Sequence, residues 1–241
     1  MAESADFDGS ADYMTRGAGL TGAADSKSGI LSAWLRIDGS SSSSQYTVLG
    51  SQSQRFAFFR SATSTLLAVT GYSTTGTNIL NIQTSATHTN SATWLHCLFS
   101  WDLSTTTGNL YINDVDAMDR TAGFFVLTNG TLDYTDTDWI TGASSVTGSN
   151  KFDGCLAELY FAPGQYLDIS IANNRRKFIT ASGKPVYLGT DGAGPTGTAP
   201  LVYFHLDPAE TVADFATNRG TGGNFTITGS LSAGSTSPSD F

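Results

Sequence analysis

The chain has 241 residues, enough for one domain with a sizeable core. Twelve Lys and Arg stand against 21 Asp and Glu, and this formal net charge of −9 excludes the clustered basic surface that a nucleic-acid backbone requires. Only 14% of residues are charged, and glycine fills 26 positions, which is the composition of many short strands joined by turns rather than of helices.

In chain order, residues 5–16 predict a short strand pair turning at Asp8-Gly9-Ser10, and 17–29 a loop rich in Gly and Ala. Ile30–Ile37 predicts a strand by alternation: Leu31, Ala33, Leu35 and Ile37 face one way, Ser32, Trp34 and Arg36 the other. A flexible turn follows at Ser40–Ser44. Tyr46–Gly50, Arg55–Arg60, Thr65–Thr70 and Ile79–Gln83 have the spacing of a sandwich meander, and Thr84–Thr93 is a polar loop. Trp94–Asp102 and Gly108–Val115 predict a hairpin, and Trp139–Ala143 and Phe152–Phe161 two further strands. One helix is expected, capped by Asp168 or Ser170, with Ile171, Arg175, Phe178 and Ile179 as its apolar side. Arg175-Arg176-Lys177 would lie in its last turns, where the helix dipole favours cations. A Gly/Pro-rich connection, 183–200, leads to late strands at Leu201–Leu206 and Asn224–Thr228, expected to return beside the first ones. The expectation is one domain over 1–229 and a flexible C-terminal arm over 230–241.

Met1-Ala2-Glu3-Ser4 has no basic start and no apolar run, and no apolar stretch reaches membrane-span length. A chain made in the cytoplasm without a signal peptide, and without a membrane partner, is therefore expected. Cys97 and Cys155 sit in apolar strands without ligand spacing and are expected as buried free thiols. Retaining glycoside hydrolysis needs two carboxylates about 5 Å apart. The glutamates are only Glu3, Glu158 and Glu210, so no such pair is legible and no enzymatic activity is expected. Glu158 is read as ordering its neighbours. No G-x-S-x-G elbow accompanies His88, His96 and His205, and His96 is read as a satisfied structural histidine. Two acidic clusters, Asp114/Asp116/Asp119 and Asp133/Asp136/Asp138, offer hard oxygen ligands without the spacing of a regular calcium loop. No cofactor is expected; for Ca²⁺, the candidate is the second cluster, Asp133, Asp136 and Asp138, which Trp139 follows directly. Tyr134 and Trp139, beside those acids, are the candidate stacking surfaces for a sugar, whereas Trp34 and Trp94 fall in strands and are read as core.

Five segments occur in a set order: Phe7-Asp8-Gly9, Ser32–Arg36 with Trp34, Trp94-Leu95-His96, Leu110-Tyr111-Ile112-Asn113 and Phe152–Phe161 with Gly154 and Glu158. In this order they resemble the laminin-G-like branch of the concanavalin A-like lectin/glucanase superfamily. The resemblance covers residues 7–179 and implies an all-β fold, a two-sheet antiparallel jelly-roll β-sandwich with one short helix. Laminarinase-like members carry E-x-D-x-x-E on a strand; here Glu158 stands alone. Asn174–Ile179, Gly183–Gly189 and Pro195–Pro200 further resemble laminin-G-like proteins of bacteriophage and prophage structural regions. That implies a non-catalytic virion accessory protein, a head decoration or tail-associated protein located in the virion. Its partners would be other virion proteins of capsid or tail, met as a homo-oligomer or lattice-bound chain. The alternative is a glycan-binding adhesin or receptor-binding module that addresses a host surface glycan; a glycoside hydrolase is the third reading.

Overall fold

Among the described residues, the alternation of apolar and polar residues is realised as sixteen strands in two antiparallel sheets. The computed structural model describes residues 3–39, 46–121 and 125–240; the expected Ser40–Ser44 turn and Phe241 lie outside them. The strands are β1 Ala5–Asp8, β2 Tyr13–Arg16, β3 Ser28–Ile37, β4 Tyr46–Ser51, β5 Phe56–Arg60, β6 Leu67–Tyr72, β7 Asn78–Gln83 and β8 Leu95–Asp102. Then come β9 Thr107–Ile112, β10 Val115–Asp116, β11 Val126–Leu127, β12 Trp139–Thr141, β13 Asp153–Pro163, β14 Val202–Phe204, β15 Thr226–Thr228 and β16 Ser232–Ala233. One α-helix, α1 Ala172–Arg175, and a 3-10 turn at Val212–Ala216 complete the described elements.

The first sheet has the order β10-β9-β8-β3-β13-β1-β16, with β14 also beside β13; the second has the order β11-β7-β6-β5-β4-β12-β2-β15. Of the two late strands expected to return beside the first ones, β15 does so by pairing β2, whereas β14 pairs β13; the strand that pairs β1 is β16, inside the expected C-terminal arm. Between the sheets lies the main core. Leu31, Ala33, Leu35 and Ile37 of β3 meet Phe56, Phe58, Val69 and Leu80 across it, with Trp101, Tyr134, Trp139 and Phe161 among the largest side chains. Burial at roughly 25 cal/mol per Å² of apolar surface makes this layer the main source of stability.

Three expectations change on contact with the structure. Residues 5–16 do not form a strand pair: β1 joins the first sheet through β13, and β2 joins the second through β12. The Asp8 carboxylate redirects the chain by accepting the amides of Ser10, Ala11 and Asp12 at 2.7–3.0 Å. Burial alone would raise its pKa, but these three amides together with the Ser10 hydroxyl, which donates at 2.7 Å, hold it far below the usual range. The helix is a single turn without a side-chain cap, because Asp168 instead accepts the amide and hydroxyl of Ser170. Its cations are not left on the dipole: Arg175 and Arg176 both bind Asp114 at 2.5 Å, and Lys177 donates to the Pro195 carbonyl.

The expected C-terminal arm is seated on the fold as far as Asp240. Leu231 is buried in the main core, β16 extends the first sheet, and Ser237 and Pro238 are buried. The two cysteines are free and buried, as read from their strands.

Candidate functional site

The outer face of the first sheet, turned away from the core, carries the chemistry. On β3 the alternation that sends Leu35 inward sends Trp34 and Arg36 outward. Trp34, Trp94, Cys155, Ala157 and Ile179 form a separate buried cluster on that face. Arg36 makes a two-pronged bond to Asp38, Nε–Oδ1 2.7 Å and Nη2–Oδ2 2.6 Å, and this partner raises the Arg36 pKa.

Two cavities flank this cluster. A cavity of about 480 Å³ is lined by Arg36, Asp38, Asn90, Ser91, Ala92 and Thr236, among others. Its neighbour, about 360 Å³, is walled by Trp34, Trp94, Thr93, Asn113 and Pro238, and shares Ala92 with the first. Together they make a groove with a polar end and an aromatic end. Beneath it, His96 stacks near Trp34 with ring centroids 4.8 Å apart, and its Nε2 meets the Ser32 hydroxyl at 2.9 Å. Burial pushes the His96 pKa down to about 3, so the imidazole is neutral. Its Nδ1 has no hydrogen-bond partner among the described residues, so within them the structural histidine read from sequence is only half satisfied.

A third, smaller cavity of about 160 Å³ lies over Glu158, Tyr187, His205 and Asp207. Glu158 reaches this face through a β-bulge. The register of β13 against β3 shifts between Ala157 and Tyr160, and Glu158 sits at φ +48°. Without the extra residue, Glu158 would point into the core in phase with Leu156; with it, Leu159 and Phe161 keep the inward phase. Both Glu158 oxygens are engaged, Oε2 by the Tyr203 hydroxyl at 2.9 Å and Oε1 by His205 Nδ1. His205 Nε2 meets Asp207 Oδ1 at 2.9 Å. Burial opposes a charge on His205, but the hydrogen bonds and charges of Glu158, then of Asp207, outweigh it and raise the pKa. Glu158 thus orders its neighbours, as expected from its isolation in the sequence.

The residues singled out in the sequence for binding fall elsewhere. Tyr134 and Trp139 are 0% exposed. Tyr134 accepts the Trp101 indole N–H at 2.9 Å and donates to the Ser28 carbonyl; Trp139 donates to the Asp136 carbonyl at 2.9 Å. Both pack against Phe56 and Phe161, so neither offers a face to a sugar. Asp133 lies 3.8 Å from Arg55, Asp136 accepts the Thr137 amide, and Asp138 faces the Thr137 hydroxyl. Among the described residues, the group whose ligand atoms converge within 4.8 Å is instead Asp6, Asp38 and Cys155. There Arg36 already neutralises Asp38, and burial followed by the nearby Asp6 charge pushes the Cys155 thiol up to about 12. Asn90 was missed because nothing local marks it in its polar loop; for Arg36 and Trp34 the available signal was their shared parity on β3.

Comparison with known proteins agrees with this architecture. The family model of the concanavalin A-like lectin/glucanases superfamily, laminin G-like, matches residues 8–164, about two thirds of the chain. No curated protein matches it. Among solved structures, the chain is similar to a Bacteroides ovatus protein named as a candidate carbohydrate binder, at 15% identity and TM-score 0.61 over 97% of this chain and 60% of that one. It is also similar to the heptameric SAP-like pentraxin of Limulus polyphemus, at 9% identity and TM-score 0.56 over 97% of this chain and 94% of that one. A third likeness is to the receptor binding domain of botulinum neurotoxin D, at 11% identity and TM-score 0.50 over 77% of this chain and 48% of that one. At these identities the likeness is one of fold, and the chain spans 60% of the length of the Bacteroides ovatus protein.

Proposed function

The chain belongs to the concanavalin A-like lectin/glucanases superfamily, as a laminin G-like domain, and from that premise we propose that it is a non-catalytic carbohydrate-binding module. The observation that carries the reading is the groove whose two cavities meet at Ala92, polar at Arg36, Asp38, Asn90 and Ser91 and aromatic at Trp34 and Trp94. A saccharide has apolar C–H faces and a rim of hydroxyls. Apolar walls with a few convergent polar groups suit it, and a guanidinium and a carboxylate side by side supply donors and acceptors for adjacent hydroxyls. Because Arg36 and Asp38 neutralise one another, the groove favours a neutral saccharide over an acidic one. The names of the Bacteroides ovatus protein and of the toxin domain support binding as the role of this scaffold.

Binding without turnover is part of the proposal. Hydrolysis needs two carboxylates free to act as acid and as nucleophile or base. Asp38 in the groove is held by Arg36, and the buried Glu158 has both oxygens engaged. A virion setting, which the phage-like segments imply, is compatible with such a module displayed in many copies, where avidity offsets weak single contacts. Its separate test is the copy number of the chain in purified particles.

The groove is tested by an array of neutral and acidic glycans probed with the multivalent protein, followed by calorimetry on any hit. Ala92→Trp is the variant of choice, because Ala92 is exposed and the indole would fill the junction of the two cavities. Neutral glycans should bind, and the variant should lose them while unfolding at an unchanged midpoint. Binding that survives Ala92→Trp would place the saccharide elsewhere.

A further inference from the structure

The C-terminal segment lines all three cavities of the outer face: Ser235 and Thr236 the polar one, Pro238 the aromatic one, Ser239 the smallest. Its hydrogen bonds are more telling than its position. Arg36 Nη1 donates to Thr236 Oγ1 at 2.7 Å and to Ser235 Oγ at 3.2 Å. From the aromatic end, Trp94 Nε1 donates to the same Thr236 Oγ1 at 3.2 Å. Two neighbouring hydroxyls therefore sit on one guanidinium, and one of them also receives the indole N–H of the opposite wall. We infer that residues 234–240 are an internal occupant of the groove, in which the Ser235 and Thr236 hydroxyls stand where a vicinal diol of a saccharide binds. The inference rests on the groove being the saccharide site and adds two properties to it. The ligand must offer two adjacent free hydroxyls, and it must displace the segment.

The local architecture fits a strap that lifts from a fixed root. The root is Leu231 in the main core, followed by β16 on the sheet edge. Beyond it the segment is held mainly by polar contacts: Gly234 N to the Ser4 carbonyl at 2.9 Å, Ser4 Oγ to the Thr236 carbonyl at 2.8 Å, and Lys184 Nζ to the Ser239 carbonyl at 3.1 Å. Ser237 and Pro238 are buried, but Gly234, Ser235, Thr236, Ser239 and Asp240 keep part or all of their exposure, and a segment with so few apolar anchors opens locally at less free energy than a core strand does. Gly234 packs tightly on Ser4. A Cβ there would overlap Ser4 Oγ, so this position takes a residue without a side chain. A site closed most of the time binds its ligand more weakly by the fraction of time that it is open.

Saccharide affinity is to be measured by calorimetry on the full chain, on a truncation ending at Ala233 that keeps Leu231 and β16, and on Thr236→Val. The Val variant removes the shared acceptor with the fold intact. In parallel, the Trp94 indole N–H resonance is followed by NMR without any saccharide, and then with a synthetic peptide of residues 234–241. The truncation should bind vicinal-diol saccharides at least about tenfold more tightly than the full chain, with Thr236→Val between them. Truncation should shift the Trp94 signal, added peptide should restore it, and the peptide should compete with the saccharide. Equal affinities for the three proteins, with Ala92→Trp still blocking, would overturn the internal occupant and leave the saccharide site standing. Tighter binding by the truncation of sugars that lack a vicinal diol would overturn the mimicry. No saccharide binding by full chain or truncation, whatever the peptide does, overturns both this inference and the groove as a glycan site.

Discussion

Two regions of this molecule set tryptophan beside carboxylate; in one of them the tryptophan lines a cavity, and in the other it is packed into the core. In the loop leading into β12, Asp136, Asp138 and Trp139 are adjacent in sequence, yet Trp139 points between the sheets and packs on Phe56 and Phe161. On the first sheet, Trp34 and Asp38 are four residues apart, and Trp34 points outward beside a groove. Strand phase separates them. Proximity in sequence brings a tryptophan near an acid; the parity of the strand decides whether the pair faces the core or the surface. The groove tryptophans are only 3–4% exposed because Ile179 and the C-terminal segment cover them, so exposure alone would have hidden the site.

Substitutions break this comparison most sharply. Trp139→Ala should cost about 3–5 kcal/mol, the range for removing a buried aromatic from a core, and Tyr134→Phe about 1–3 kcal/mol, since it leaves the Trp101 indole N–H without its acceptor. Ala92→Trp, at an exposed position, should stay within about 0.5 kcal/mol of the parent. Urea unfolding curves compare all three. A Trp139→Ala protein that unfolds at the parental midpoint and merely loses a sugar would reverse the roles assigned to the two regions.

The two buried histidines extend the contrast to pH. His96, held neutral beneath the groove with a pKa near 3, contributes stability that is present above the ordinary value of about 6.5 and is lost as pH falls below it. By pH 5 that loss is about 2 kcal/mol. His205 has the opposite sign. Its raised pKa gives stability that is full below about 6.5 and is lost as pH rises through the raised value. Unfolding midpoints from pH 5 to 9 should therefore fall at both ends. His96→Gln should flatten the acid side and His205→Gln the alkaline side. Glu158→Gln removes the main partner of His205; it should lower stability by about 1–3 kcal/mol, flatten the alkaline side in the same way, and leave saccharide affinity unchanged. Saccharide hydrolysis by the parent, lost in Glu158→Gln, would instead make Glu158 a catalytic group.

Much of this was legible in the chain. The β3 alternation places Trp34 and Arg36 on the outer face, and the order of the family segments fits the sandwich. Even the β13 bulge leaves a trace, since the apolar step from Leu156 to Leu159 and Phe161 slips phase at Glu158. Other features were not legible, each for a physical reason. Asp8-Gly9-Ser10 has the composition of a hairpin turn, and only the three amides gathered by Asp8 show that the chain crosses to the other sheet. Residues 230–241 read as a mobile arm because Ser, Thr, Gly and Pro carry no apolar period. What holds Ser235 and Thr236 is Arg36, Trp94 and Ser4, which are 142 to 232 positions away in the sequence. Contacts of such separation leave no local pattern.

The smallest effect is expected where the sequence placed its calcium candidate. Calcium takes six to eight oxygen ligands at roughly 2.3–2.6 Å. Asp133, Asp136 and Asp138 do not converge in that manner: Asp133 turns to Arg55 and the Thr135 hydroxyl, while Asp136 and Asp138 close a short turn on Thr137. A ligand that binds only the native state raises Tm by mass action, so excess EDTA should leave Tm unchanged to within about 1 °C if these are turn residues alone. Asp133→Asn should cost no more than about 1 kcal/mol, the range for a partly exposed ion pair. The comparison between the two regions makes the opposite result informative. If EDTA lowers Tm and Ca²⁺ restores it, the response will disappear either in Asp136→Asn or in Asp38→Asn. Loss in Asp136→Asn means that the loop rearranges around a cation. Loss in Asp38→Asn puts the cation at Asp6, Asp38 and Cys155, where it would have to displace Arg36 and so free that guanidinium at the polar end of the groove.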